Sequence, residues 1–313
     1  MPHLLFTDHR DGDLDELHLR MEPSASGYPD VAGCAAELAD LLAAAPSGPR
    51  VLTVGTTVRH TARYREVMDV LVAMRPPVER LYLGDYTYPD KWGEVIPEDL
   101  DKDGEGWVTE IEVPDEFWPA MRTLRHLVLH GDRLRLHAIR SPALTRLAIR
   151  CDTMSPRCVA DLGGAGLPAL DALEIWLGNY NYQWSGGIFG SYTGTAADLL
   201  PLLAADGYPA LRHLRCCADI ADELVEALAG SPLLRDLDTL DLSGGGLTDR
   251  GARFIAANQL AFSGLRRLDL DGNMIGTTGQ RLLANTVEVA HLGTQREEFH
   301  SKLVKPQRAL LFG

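Results

Sequence analysis

The phrase L-x-x-L-x-L recurs along almost the whole chain, and this repetition limits the fold more than any other feature. It reads Leu14-Leu17-Leu19, Val78-Leu81-Leu83, Leu124-Leu127-Leu129 and Leu144-Leu147-Ile149, then Leu170-Leu173-Ile175, Leu211-Leu214-Cys216, Leu237-Leu240-Leu242 and Leu265-Leu268-Leu270. A degenerate copy sits at Leu52 and Val54. Apolar residues alternating with others give a short strand with one buried face. The middle residues of the copies, from Leu17 to Leu268, follow each other at steps of 35, 29, 46, 20, 26, 41, 26 and 28 residues. Helical patterns fall between them, at about 30–45, 61–74, 195–206, 220–229, 248–260 and 277–285. Thr195 with Asp198 three places on is a helix-starting pair. One strand–helix unit cannot bury its own apolar face, so the units must stack.

The pattern is fullest at 237–285, LDTLDLSGGGLTDRGARFIAANQLAFSGLRRLDLDGNMIGTTGQRLLAN. This stretch resembles the ribonuclease-inhibitor-like subclass of leucine-rich repeats, in which L-x-L-s-x-n-x-L-t-x-x-G-a opens each strand–turn–helix unit. The chain is also similar to bacterial leucine-rich repeat proteins of no assigned chemistry. The resemblance covers about residues 14–290. It implies an α/β solenoid of about nine irregular repeats, with a curved parallel sheet on the concave face and helices on the convex face. It also implies a binding surface, usually for another protein. The expected organisation is a solenoid over 1–290, with insertions at about 84–118 and 177–194. A closing strand is expected at Val287-Glu288-Val289, before a C-terminal tail at 291–313.

Composition narrows the function. The net charge of −14 argues against nucleic acid as the main partner. No stretch approaches the ~20 apolar residues of a membrane span. The first residues, MPHLLFTDHRDGD, turn acidic too soon for a secretory signal, so a cytoplasmic protein is expected. The five cysteines are odd in number and lack C-x-x-C spacing, which fits buried thiols rather than a disulfide framework or a zinc knuckle. No nucleophile elbow, phosphate loop, dinucleotide fingerprint or metalloprotease helix is present.

In such strands the leucines point inward, and the residues between and beside them line the other face. Those positions give a basic centre of Arg80, His126, His130, Arg146, Arg150, His213 and Arg215, with Tyr82, Glu174 and Trp176 among them. The last third turns acidic. His126 and His130 are unsuited to share one metal ion, because residues four apart on a strand lie roughly 13 Å from each other. The expected use of this face is a trough for an acidic protein or peptide segment, held by charge-assisted contacts. The other reading is a solvated sheet face, or one covered internally. The 177–194 insertion carries Tyr180, Tyr182 and Trp184 in a Tyr-, Trp-, Gly- and Asn-rich setting typical of recognition loops.

Between Gly84 and Trp118 twelve carboxylates face only Lys91 and Lys102, so this stretch alone carries −10. Within it Asp101, Asp103, Glu105 and Glu112 occupy positions 1, 3, 5 and 12 of an EF-hand-like loop, with Gly106 at position 6. Several converging oxygens suit calcium, and no other cofactor is implied. Pro97 and Pro114 weaken both flanking helices, and the competing reading is an acidic turn leading into a strand.

The tail ends in Arg308 followed by Ala309, Leu310, Leu311, Phe312 and Gly313. An apolar run of this kind packs back on the repeats, forms a motif for a partner, or is recognised, modified or cleaved by a partner enzyme after Arg308. The main expectation is a non-catalytic protein-binding scaffold. The first alternative is a docking or leader domain for a ribosomal peptide precursor, and the second is an enzyme.

Overall fold

A computed structural model describes residues 3–10, 13–56, 61–85, 108–151, 154–177, 194–204 and 206–296. Its strands are β1 (Leu4–Arg10), β2 (Asp13–Met21), β3 (Val51–Thr56), β4 (Ala62–Arg63), β5 (Arg80–Asp85), β6 (Thr109–Glu112) and β7 (His126–Gly131). They continue as β8 (Arg133–Arg135), β9 (Arg146–Cys151), β10 (Ala172–Leu177), β11 (His213–Cys217), β12 (Thr239–Asp241), β13 (Arg267–Asp269) and β14 (Ala290–His291). The helices are α1 (Val31–Ala44), α2 (Arg65–Met74), α3 (Phe117–Ala120), α4 (Pro156–Gly163) and α5 (Leu200–Leu203). After them come α6 (Ala221–Ala229), α7 (Pro232–Asp236), α8 (Asp249–Ala257), α9 (Gln259–Phe262) and α10 (Thr277–Thr286).

The molecule is an α/β structure with one large, mostly parallel sheet. Among the described residues this sheet has eleven strands in the order β1-β2-β3-β5-β7-β9-β10-β11-β12-β13-β14. Strands thus neighbour one another in chain order, and only the β1–β2 pairing is antiparallel. The three short strands left out of that order, β4, β6 and β8, form a second parallel sheet.

The repeated leucines explain this arrangement. Leu17, Leu52, Leu81, Leu127, Leu147, Leu173, Leu214, Leu240 and Leu268 stand at one register position across nine neighbouring strands. All of them are buried, and they share one continuous core with helix residues such as Leu38, Met68, Val159, Leu224 and Ile255. One sheet face is therefore sealed by the helices. The opposite face carries a separate small apolar cluster of Tyr82, Val128 and Ala148.

Neighbouring helices are tied together as well. Asp222 in α6 accepts hydrogen bonds from the Thr248 and Gly251 backbone N–H groups at the start of α8 (2.9 and 3.0 Å). Asn273 is wholly buried. Its Nδ2 donates to the carbonyls of Leu242 and Leu270, and its Oδ1 accepts from the Leu247 N–H. The Asp222 bonds and those of Asn273 to Leu242 and Leu247 join one unit to the next, whereas the Leu270 bond lies within a unit.

Several details differ from the sequence expectations. The closing strand is Ala290–His291, because Val287 instead caps α10, its N–H donating to the Leu283 carbonyl. The helix expected over 195–206 is a 3₁₀ turn, Ala196–Leu199, followed by the short α5. Within the 84–118 stretch, Ile111, Val113, Phe117 and Trp118 are buried in the main core. None of the described helices is long and apolar enough to cross a membrane.

Candidate functional site

The face turned away from the helices is organised in three rows that run across the strands. The first row consists of the residues that open β5, β7, β9, β10 and β11: Arg80, His126, Arg146, Ala172 and His213. The second continues with Tyr82, Val128, Ala148, Glu174, Arg215, Asp241 and Asp269. The third holds His130, Arg150, Trp176 and Cys217. Parallel pairing in register stacks like positions, so neighbours in a row are about 4.8 Å apart.

Apart from the half-buried Cys217, the second and third rows are closed. Tyr82, His130, Arg150, Glu174, Trp176 and Arg215 are all buried, although the charges alone suggested an open trough. They pack against one another, although Glu174 Oε2 and Arg215 Nε make no hydrogen bond. The Tyr82 hydroxyl and His130 Nδ1 share a hydrogen bond of 3.2 Å, and the His130 ring meets the Trp176 ring edge-on at 6.1 Å. Arg150 Nε donates to Glu174 Oε1 at 3.0 Å, with the two side chains only 3% and 1% exposed. The Arg150 and Arg215 guanidinium groups both lie on the Trp176 ring, 5.2 and 5.9 Å from its centre. Cation–π contact of this kind strengthens when water is excluded.

The acidic side of the face balances the basic centre. Arg215 Nε is 3.6 Å from Asp241 Oδ2, and Asp241 Oδ1 accepts from the Ser243 N–H. Burial pushes the Asp241 carboxyl above its ordinary range, and the Arg215 charge opposes that rise. Asp269 is also pushed up by burial. Its bonds from Arg267, the Asp271 N–H and His291 outweigh this and leave it below the usual carboxylate value. Burial raises the Cys217 thiol to about 11, so it is no thiolate at neutral pH. Asp241 is the partner that sequence reading did not assign to Arg215. Its signal was its place, since it holds the same repeat position one strand along.

The first row is different. Arg80 is exposed, and His126, Arg146 and His213 are half-buried. The His126 ring keeps Nδ1 buried without a hydrogen-bond partner. Burial, followed by the charges of Arg146, Arg80 and Arg125, pushes its imidazole down to about 4, with Glu79 opposing. Sequence reading missed Arg125, which immediately precedes His126 and adds to the positive field.

The remaining sequence candidates divide by position. Glu112 closes strand β6, and its Oε1 lies 2.9 Å from His137 Nε2. An EF-hand would have its exiting helix at that point. Asp101, Asp103 and Glu105 lie outside the described residues. So do Tyr180, Tyr182 and Trp184, and Arg308, Leu310, Leu311, Phe312 and Gly313 of the tail.

Comparison with known proteins gives a fold likeness. No protein-family model matches the chain, and no curated protein matches it. Among solved structures it is similar to a Bacteroides fragilis protein determined by the Northeast Structural Genomics Consortium. That match has a TM-score of 0.64 at 20% identity and covers 91% of this chain and 75% of the other. The mouse RP105/MD-1 complex aligns over 90% of this chain and 75% of that one, at 12% identity and a TM-score of 0.19.

Proposed function

We propose that the chain is a leucine-rich-repeat solenoid that works as a non-catalytic scaffold, holding an acidic protein or peptide segment along the first row of its open sheet face. The solenoid reading is supported by strands that neighbour one another in chain order and by the single register row of buried leucines. The binding reading rests on one observation. Arg80, His126, Arg146 and His213 stay accessible at the strand starts, while the basic residues of the inner rows are buried.

The division of labour follows from the pairing. Arg150 and Arg215 face Glu174 and Asp241 inside the protein, so their charges are spent on the fold. Arg80 is exposed and Arg146 half-buried, so both can reach a carboxylate brought to the surface. Arg80 and Arg146 stand two strands apart, about 9–10 Å along the row, with the neutral His126 between them.

The test is fluorescence anisotropy with a labelled glutamate-rich peptide. Arg80→Glu combined with Arg146→Glu is expected to abolish binding while the circular dichroism spectrum stays unchanged. Equal affinity of the double variant and the parent would sink the proposal.

A further inference from the structure

We infer that Arg80, His126 and Arg146 form one oxyanion notch, in which the His126 Nε2–H donates between the two guanidinium groups to a single carboxylate of the bound segment. This rests on the acidic-segment reading above and deepens it, since it assigns one residue of the row a different job from its neighbours.

The argument starts from the ring's two nitrogens. Nδ1 is buried and has no hydrogen-bond partner while the residue itself is only half-buried, which points to Nε2 as the nitrogen that meets the surface. A buried N–H without an acceptor costs more than a buried lone pair without a donor, because desolvating a donor between positive charges adds repulsion. The neutral ring therefore carries its proton on Nε2. Arg80 and Arg146 flank it in register on the neighbouring strands, β5 and β9. The outward-facing edge thus presents one neutral donor between two cationic ones.

The charged groups around the ring keep it that way. Arg80 and Glu79 act from the β5 side, Arg146 from β9 and Arg125 from the position just before β7, and three of these four are positive. An imidazolium here would be repelled. A neutral donor adds a hydrogen bond to an incoming carboxylate without the repulsion that a third cation would bring to this row.

Two measurements test the notch. In the first, N-acetyl-tetraglutamate amide and inorganic phosphate are titrated separately into the parent and into His126→Gln and His126→Met. Glutamine returns an N–H donor near the Nε2 position, and methionine keeps the bulk without one. The peptide is expected to bind His126→Gln within about threefold of the parent and His126→Met about tenfold more weakly, as loss of one charge-assisted donor requires. Equal peptide affinity in all three proteins overturns the notch but leaves the acidic-segment proposal standing. Phosphate binding as tightly as the peptide overturns the assignment to a peptide carboxylate. Peptide binding that fails in the parent sinks the acidic-segment proposal itself. The second measurement needs no variant. Imidazole ¹⁵N spectra of the parent should show the Nε2–H tautomer at pH 7 and a shift of that nitrogen on adding peptide. An Nδ1–H tautomer, or an unmoved signal, overturns the inference.

Discussion

Arg150 and Glu174 sit on adjacent strands two register positions apart, and their 3.0 Å hydrogen bond runs diagonally across the sheet at almost zero exposure. Each is the other's compensation for lost water. Removing one member strands a buried charge, which costs about 3–5 kcal/mol. Arg150→Met and Glu174→Leu are each expected to destabilise by about that much in urea unfolding. The double variant should lose clearly less than the sum, because two apolar side chains leave no orphaned charge. Strict additivity would show that the pair is not coupled.

His126 predicts a stability difference with pH. Its folded-state value of about 4 lies below the ordinary 6.5, so between these values the unfolded chain binds more protons than the folded one. The contribution is therefore complete above pH 6.5 and is lost as pH falls toward 4. After allowance for screening of a half-exposed group, the parent should lose about 1–2 kcal/mol more than His126→Gln over that window. Thermal melts of both proteins at pH 7.5 and 4.5 measure it, and parallel curves would contradict it.

Asn273 is predicted to matter out of proportion to its size. Asn273→Leu would leave the Leu242 and Leu270 carbonyls and the Leu247 N–H without their side-chain partner inside the protein. The expected loss is about 3 kcal/mol in chemical denaturation. A variant as stable as the parent would mean that other groups take over these three bonds.

Gly84 makes a positional prediction. Its φ is +131°, and a Cβ placed there would lie 1.7 Å from the His130 carbonyl oxygen on β7. The Gly84 carbonyl also accepts from the Tyr64 hydroxyl at 3.1 Å. Gly84→Ala should cost at least about 2 kcal/mol and loosen the β5–β7 contact, visible as faster amide exchange in β7. Unchanged exchange there would argue that the backbone can move aside cheaply.

How far the sequence could be read depended on what each residue's environment is made of. Leu17 through Leu268 announced their row because an apolar stripe needs only its own periodicity to be recognised. Helix α4 escaped notice although Ser155 caps it and Pro156 opens it, and α7 repeats the same Ser-Pro signal at Ser231 and Pro232. Those two steps were legible and were missed. The second sheet was not legible. Ala62–Arg63 and Arg133–Arg135 are too short to show alternation, and only three-dimensional closeness pairs them with β6. The open face shows the sharper limit. Alternation assigned Arg150, Glu174 and Arg215 to the correct side of the sheet. Whether a charge on that side meets water or a neighbour depends on strands that are up to 46 residues apart in the repeat series.

The chain-order sequence of strands also has a mechanical meaning. Each strand of the ladder holds to the one before and the one after it, so a tension applied to the two ends has no single clamp to break. The antiparallel β1–β2 pair would unzip first, bond by bond, and the force record should then climb in steps as successive units peel away. A protein built in this manner yields gradually from its rims, and the packed charges around Trp176 would be among the last parts to let go.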